Sequence, residues 1–103
     1  MLAVDQNIQE VVEKTESYFG NNTSAYIFSS DHGMTDWGSH GSGSSDETET
    51  PFVAWGAGIK KGPAIHNIEQ AAIAPLVSTL LGIPVPVNNE VFTLIFGLHT
   101  VFF

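Results

Sequence analysis

Apolar residues near the start of the chain recur at spacings of three and four. Val4, Ile8, Val11, Val12, Thr15 and Phe19 fall on one stripe, which predicts an amphipathic helix of about four turns. Asp5 and Glu10 lie towards its start, and Lys14 follows Glu10 by one turn, both favourable placements on a helix. Gly20 is a natural stop, and Asn21-Asn22 continue the turn. The pattern then changes. Ala25-Tyr26-Ile27-Phe28-Ser29 is apolar, aromatic and β-branched and predicts a short buried strand. Residues 33–50 have no apolar period and are rich in Gly, Ser, Thr and acids, which means a functional loop or disorder. Pro51-Phe52-Val53-Ala54-Trp55 predicts a second buried strand, with proline at the first position where it is tolerated. Gly56, Gly58 and Gly62 with Lys60-Lys61 form a turn-rich exit. A short helix is predicted over Ile73–Leu81. Pro75 suits its first turn, Leu76, Leu80 and Leu81 give an apolar face, and Gly82 ends it. Ile83-Pro84-Val85-Pro86 must be extended, because each proline restricts the residue before it. From Val91 to Phe103 the chain is apolar, and no period decides between strand and helix.

Composition narrows the class. At 103 residues the chain is one small domain or a piece of a larger one, and 43% hydrophobic content separates it from disordered tails. A helix followed by a strand predicts an α/β unit, and in open parallel sheets ligands gather beyond the carboxyl ends of the strands. Eleven acidic residues against three lysines give a net charge of −8. That excludes a basic nucleic-acid-binding face; it suits cations as partners, and it also serves solubility. The absence of cysteine excludes disulfides and thiolate metal sites. The opening Met1-Leu2-Ala3-Val4 runs straight into acidic helical sequence, unlike a signal peptide. No apolar run reaches the roughly 18–20 residues of a membrane span. Asn21 and Asn22 each begin an N-glycosylation acceptor tripeptide, a short pattern that points only weakly to a secretory lumen.

Chemistry concentrates in Ser29-Ser30-Asp31-His32-Gly33-Met34-Thr35-Asp36-Trp37-Gly38-Ser39-His40-Gly41. An Asp-His pair at a strand end offers a hard oxygen and an imidazole nitrogen to one metal ion. Neighbouring residues on a strand point to opposite faces, so both reach one ion only where the chain turns, which Gly33 permits. His40, between Ser39 and Gly41, can be delivered by the loop folding back. Oxygen and nitrogen ligands without thiolate are typical of catalytic sites that keep open positions. On these residues alone, metal binding and an ordinary Asp-His-Gly turn remain evenly matched. His66 and His99 have no acidic neighbours or glycine setting and read as ordinary histidines.

Ser30-Asp31-His32-Gly33-Met34, followed by Gly38-Ser39-His40-Gly41, resembles the metal-binding end of the alkaline phosphatase superfamily. Within it, Thr35-Asp36-Trp37, Glu49-Thr50-Pro51, Trp55-Gly56-Ala57-Gly58-Ile59-Lys60, Ile73-Ala74-Pro75-Leu76 and Leu80-Leu81-Gly82-Ile83-Pro84 resemble the phosphoethanolamine transferases of GPI-anchor assembly. The resemblance covers residues 2–89. It implies that residues 1–89 are the C-terminal part of a catalytic domain, with 90–103 a divergent apolar tail. The implied fold is a three-layer α/β sandwich around a mostly parallel sheet, in the lumen of the endoplasmic reticulum. The implied cofactors are two divalent metal ions, zinc or else manganese. By resemblance, Asp31 and His32 bind one metal and His40 completes the other. The remaining ligands and the nucleophilic threonine belong to positions outside this chain, so no catalytic nucleophile is assigned here and the chain alone is expected to be inactive. The implied reaction moves phosphoethanolamine from phosphatidylethanolamine to that threonine, then to the 2-hydroxyl of the first mannose of a mannosylated GPI precursor. Membrane association would rest on segments absent from this chain. The substrate ammonium is expected to meet the acidic loop at Glu47 and Glu49, or the face of Trp37, although a solvated loop explains the same acids.

The match also departs from the family. Ala72 stands where relatives carry an aspartate before the Ile-Ala-Pro helix start, so this helix should lose about 1 kcal/mol of capping and still form. The segment between Gly62 and Asn67 is short, and the tail after Asn89 does not match. Two other functions stay open: a phosphodiesterase or mutase of the same superfamily, and an inactive metal-binding module.

Overall fold

The computed structural model describes residues 2–59 and 67–91. The expectations for Lys60, Lys61, Gly62, His66, His99 and the tail beyond Val91 lie outside the described residues. The order is α1 (Leu2–Phe19), β1 (Ala25–Ser29), α2 (Ser45–Thr48), β2 (Phe52–Gly56), a 3₁₀ turn (Gln70–Ala72) and α3 (Ile73–Leu81). Helix α1 runs 18 residues, slightly longer than the stripe requires. It stops at Gly20, whose φ of 89° lies in the left-handed region that glycine reaches without a Cβ penalty. The Gly20 amide still bonds the Glu16 carbonyl at 3.0 Å.

Strands β1 and β2 pair antiparallel, with Ala25 opposite Gly56 and Ser29 opposite Phe52. This differs from a parallel neighbour relation. A parallel crossover needs a helix long enough to carry the chain back along the strand, and residues 30–51 contain only the four-residue α2, so the chain returns at the end where it left. Neither strand is fully buried, contrary to expectation: β1 is half-buried from Tyr26 onward, and in β2 Phe52, Ala54 and Trp55 are half-buried while Val53 and Gly56 are exposed. Tyr26 and Trp55 are register partners and stack with centroids 5.2 Å apart, a cross-strand aromatic contact that holds the pair.

The apolar core is small and centres on α3, where Ala72, Pro75, Leu76 and Val91 are buried. Helix α3 begins without a side-chain cap at Ala72, as its residue type requires, and forms nonetheless. The preceding 3₁₀ turn leads the chain in, with the Ala72 amide bonding the Glu69 carbonyl at 2.8 Å. At the other end Gly82 is left-handed, and the Ile83 amide reaches the Ser78 carbonyl at 3.0 Å, the closure of a Schellman stop.

Candidate metal centre

Strand β1 ends at Ser29, and the chain bends at Asp31. That bend brings two neighbouring side chains to the same side. Asp31 Oδ2 and His32 Nε2 stand 3.8 Å apart. Two donors bound to one tetrahedral zinc at about 2.0–2.1 Å stand roughly 3.3–3.4 Å apart, so the pair is within a few tenths of an ångström of chelating geometry. The other oxygen, Oδ1, accepts the His32 amide at 3.0 Å and so fixes the carboxylate against its own backbone. Gln70 closes the bend from the 3₁₀ turn: its amide nitrogen donates to the carbonyls of Ser30 at 2.9 Å and Asp31 at 2.8 Å.

His40 arrives from the folded-back loop, and its ring stacks on that of His32 with centroids 4.9 Å apart and planes 16° from parallel. Each ring has one nitrogen engaged by the backbone. His32 Nδ1 lies 2.7 Å from the Gly33 carbonyl, and His40 Nδ1 lies 3.1 Å from the Gly38 carbonyl. A carbonyl only accepts, so both contacts select the tautomer with hydrogen on Nδ1 and leave both Nε2 lone pairs open. Metal-ligating histidines are held in this way. The donor set therefore suits divalent ions bound through oxygen and nitrogen. Among the described residues no three such side chains converge on a single point; the arrangement is a chelating pair with one further ring beside it.

The loop itself is built around Glu47. This residue is only 3% exposed, although its neighbours are solvent-facing. Its Oε1 accepts the Ser39 hydroxyl at 2.5 Å. Its Oε2 accepts the Ser42 amide at 3.0 Å, the Ser42 hydroxyl, the Ser44 amide at 3.1 Å and the Ser44 hydroxyl at 3.0 Å. These donors, the Ser39 and Ser42 hydroxyls above all, hold the carboxyl well below the ordinary glutamate range, against the desolvation that opposes them. Both oxygens are thus occupied, and Glu47 does not present a free carboxylate to a substrate ammonium. The expectation for Glu47 is corrected to that extent. Glu49 is exposed, and Trp37 is 90% exposed in the Thr35–Gly38 turn, so both of those side chains face solvent.

Two features escaped sequence reasoning. One is α2, signalled by Ser44-x-x-Glu47, a capping box whose glutamate reaches back to the N-cap amide. The other is Gln70, which no local pattern marks. Asn21 and Asn22 sit in an exposed turn after α1, where the Thr23 hydroxyl bonds the Phe19 and Gly20 carbonyls at 3.1 and 2.8 Å.

No family model and no solved structure matches the chain. Curated proteins do. The chain is 41% identical to GPI ethanolamine phosphate transferase 1 of Mus musculus and 40% to that of Homo sapiens, each over 84% of its own length and 12% of theirs. The protein of that name from Schizosaccharomyces pombe is 41% identical over 84% of the chain and 11% of its own length. The chain thus spans about one eighth of the length of these relatives. The aligned stretch of 107 positions is longer than the chain, so the mouse protein carries residues that this chain lacks.

Proposed function

Because this chain is related over most of its length to GPI ethanolamine phosphate transferase 1, we propose that it supplies the metal-binding end of such a transferase. The reaction is transfer of phosphoethanolamine from phosphatidylethanolamine to the first mannose of a GPI precursor, on the lumenal face of the endoplasmic reticulum membrane. The observation that supports this reading best is the pair of stacked imidazoles with both Nε2 atoms open, beside the Asp31 carboxylate. Asp31 and His32 would hold one divalent ion and His40 would contribute to a second. Zinc suits these donors, and manganese shares the preference for nitrogen and oxygen. Such ions, when bound, polarise phosphoryl oxygens and lower the pKa of an attached nucleophile.

The chain's own residues do the rest. The Gly33 and Gly38 carbonyls fix the tautomers, and Gln70 holds the Asp31 bend. Trp37, on its exposed turn, offers an aromatic face to the ethanolamine ammonium, and Glu49 offers a counter-charge. The nucleophilic threonine and the remaining ligands come from residues outside this chain. No helix among the described residues is long and apolar enough to cross a membrane, so membrane attachment also rests on other segments.

A chimera tests this. Residues 2–89 replace the matching segment of the mouse protein in cells lacking their own transferase, and GPI precursors are analysed by mass spectrometry. The expected result is restored phosphoethanolamine on the first mannose, lost again with His40→Ala. A chimera that accumulates normally but leaves the mannose bare overturns the proposal, as does full activity with His40→Ala. The 103-residue chain alone, with zinc and a phosphodiester, is expected to show no turnover above the metal blank.

A further inference from the structure

One residue touches both halves of the metal centre without pointing at it. The backbone carbonyl of Glu47 accepts the Gly33 amide at 2.8 Å, directly after His32. Its side chain accepts Ser39 on one side of His40 and Ser42 on the other. Only Gly41 separates His40 from the second anchor. The fit at Gly33 is close: a Cβ there would overlap the Asp46 carbonyl oxygen, so this strand-end turn lies directly against α2. The two histidine loops therefore meet the same residue from opposite directions, and their rings come to rest stacked at 4.9 Å.

We propose that Glu47 is the positioning residue of this centre, fixing the separation of His32 and His40 by holding the Gly33 turn with its backbone and the His40 loop with its carboxylate. This rests on the reading of the two histidines as ligands. A ligand ring delivered by a glycine- and serine-rich loop has many backbone conformations open to it, and each must be excluded before the ring is in place. A carboxylate accepting from both flanks of the histidine removes most of them. Charge matters as well as shape. A glutamine has one accepting oxygen and an NH₂ group that faces donors, so it cannot receive the three serines together.

The test uses the full chain, Zn²⁺ alone as probe, and two readouts. Calorimetry gives the zinc affinity. Nuclear Overhauser contacts between the His32 and His40 rings, measured without metal, report their stacking. Glu47→Gln is expected to lower zinc affinity about 10–100-fold, as loss of an outer-shell partner does, and to abolish the ring contacts while the α1 and α3 amide signals stay in place. Glu47→Asp, shorter but charged, is expected to recover part of the affinity. Where the wild-type chain binds zinc, unchanged zinc affinity in Glu47→Gln overturns the proposal, whatever the rings do; where it binds none, rings that stay stacked in Glu47→Gln overturn it. If Glu47→Gln unfolds the chain, Ser42→Ala carries the test, because it removes one anchor and leaves Glu47 in place. It must weaken zinc binding several-fold, and wild-type affinity overturns the idea. A wild-type chain that binds no zinc, while Glu47→Gln still separates the rings, supports the positioning role and instead counts against the ligand reading on which the proposed function depends.

Discussion

The loop that carries the candidate ligands and the helix that opens the chain have opposite relations to their surroundings. In the loop, a glutamate is 3% exposed and every buried side-chain polar atom among the described residues has a partner. Along α1, the apolar stripe is only half covered: Val11 remains 59% exposed, and an open cleft of about 440 Å³ separates Val4, Ile8, Val11 and Val12 from Phe28 and Trp55. The lesson concerns range. Serine hydroxyls, turn amides and one carboxylate lie within a few residues of each other, so the loop satisfies itself by local hydrogen bonds. An apolar stripe needs area from elsewhere, because hydrophobic stabilisation scales with the surface removed from water.

The strongest way to break this contrast is through two tightly packed glycines, Gly33 at the start of the loop and Gly56 at the end of β2, outside it. A Cβ at Gly56 would overlap the Ser24 carbonyl oxygen, and its φ of +101° suits glycine alone. A Cβ at Gly33 would overlap the Asp46 carbonyl oxygen, without a strained φ. Neighbouring backbone yields less easily than a flexible side chain. Gly56→Ala is expected to cost about 2–5 kcal/mol, from overpacking plus backbone strain, and Gly33→Ala about 1–3 kcal/mol. Urea unfolding followed by tryptophan fluorescence measures both. The contrast is sharpened by the second readout: Gly33→Ala should also weaken zinc binding at least tenfold, whereas Gly56→Ala, assayed below its unfolding midpoint, should leave it within a factor of two or so. Equal losses of zinc affinity would mean that the loop is not locally organised.

What could be read from the residues follows the same division. Helices α1 and α3 announce themselves through apolar period and glycine stops, and α3 occupies the very range expected, Ile73–Leu81. Strand β1 was equally plain, because its signal is contained in five residues. The Asp31-His32 bend and the return of His40 were also readable, since glycine and ligand types stand together. The antiparallel pairing was not, because strand direction depends on the path of residues 30–51, which no residue in β1 or β2 encodes. Nor was the role of Glu47. Read one residue at a time, an acid in a polar loop looks solvated, and only the Ser44-x-x-Glu47 spacing hinted that its carboxylate turns inward. Gln70 acts on Ser30 and Asp31 across a long stretch of chain, and such contacts have no local signature.

A smaller effect tests the loop by acid. The folded state holds the Glu47 carboxyl below its ordinary range, so the unfolded chain takes up this proton first as pH falls. The stabilisation from this group is therefore complete above the ordinary glutamate range and is lost progressively below it, towards the lowered value. The amides of Ser42 and Ser44 donate directly to Oε2. Their hydrogen-exchange protection should hold steady from neutral pH down to the ordinary glutamate range and then fall, after correction for intrinsic exchange. In Glu47→Gln this acid limb should vanish, with protection low throughout. Protection that is the same in the variant at every pH would mean that the carboxylate does not organise the loop.

The smallest expected effect lies on the other side of the comparison. Val11→Ala removes two methyl groups from a residue that is 59% exposed, on a helix that meets the sheet across an open cleft. Little of that surface leaves water on folding, so the transfer contribution is slight, and alanine's better helix propensity offsets part of it. The net change should stay within about 0.5 kcal/mol. Leu76→Ala is the reference: at 5% exposure the same kind of truncation should cost about 2–5 kcal/mol, since a buried site loses both transfer energy and packing. A Val11→Ala loss approaching that of Leu76→Ala would mean that the α1 stripe is covered in solution. Dependence of that loss on protein concentration would identify a second copy of the chain as the cover, because only association makes stability concentration-dependent. Without such dependence, the cleft itself would have to close.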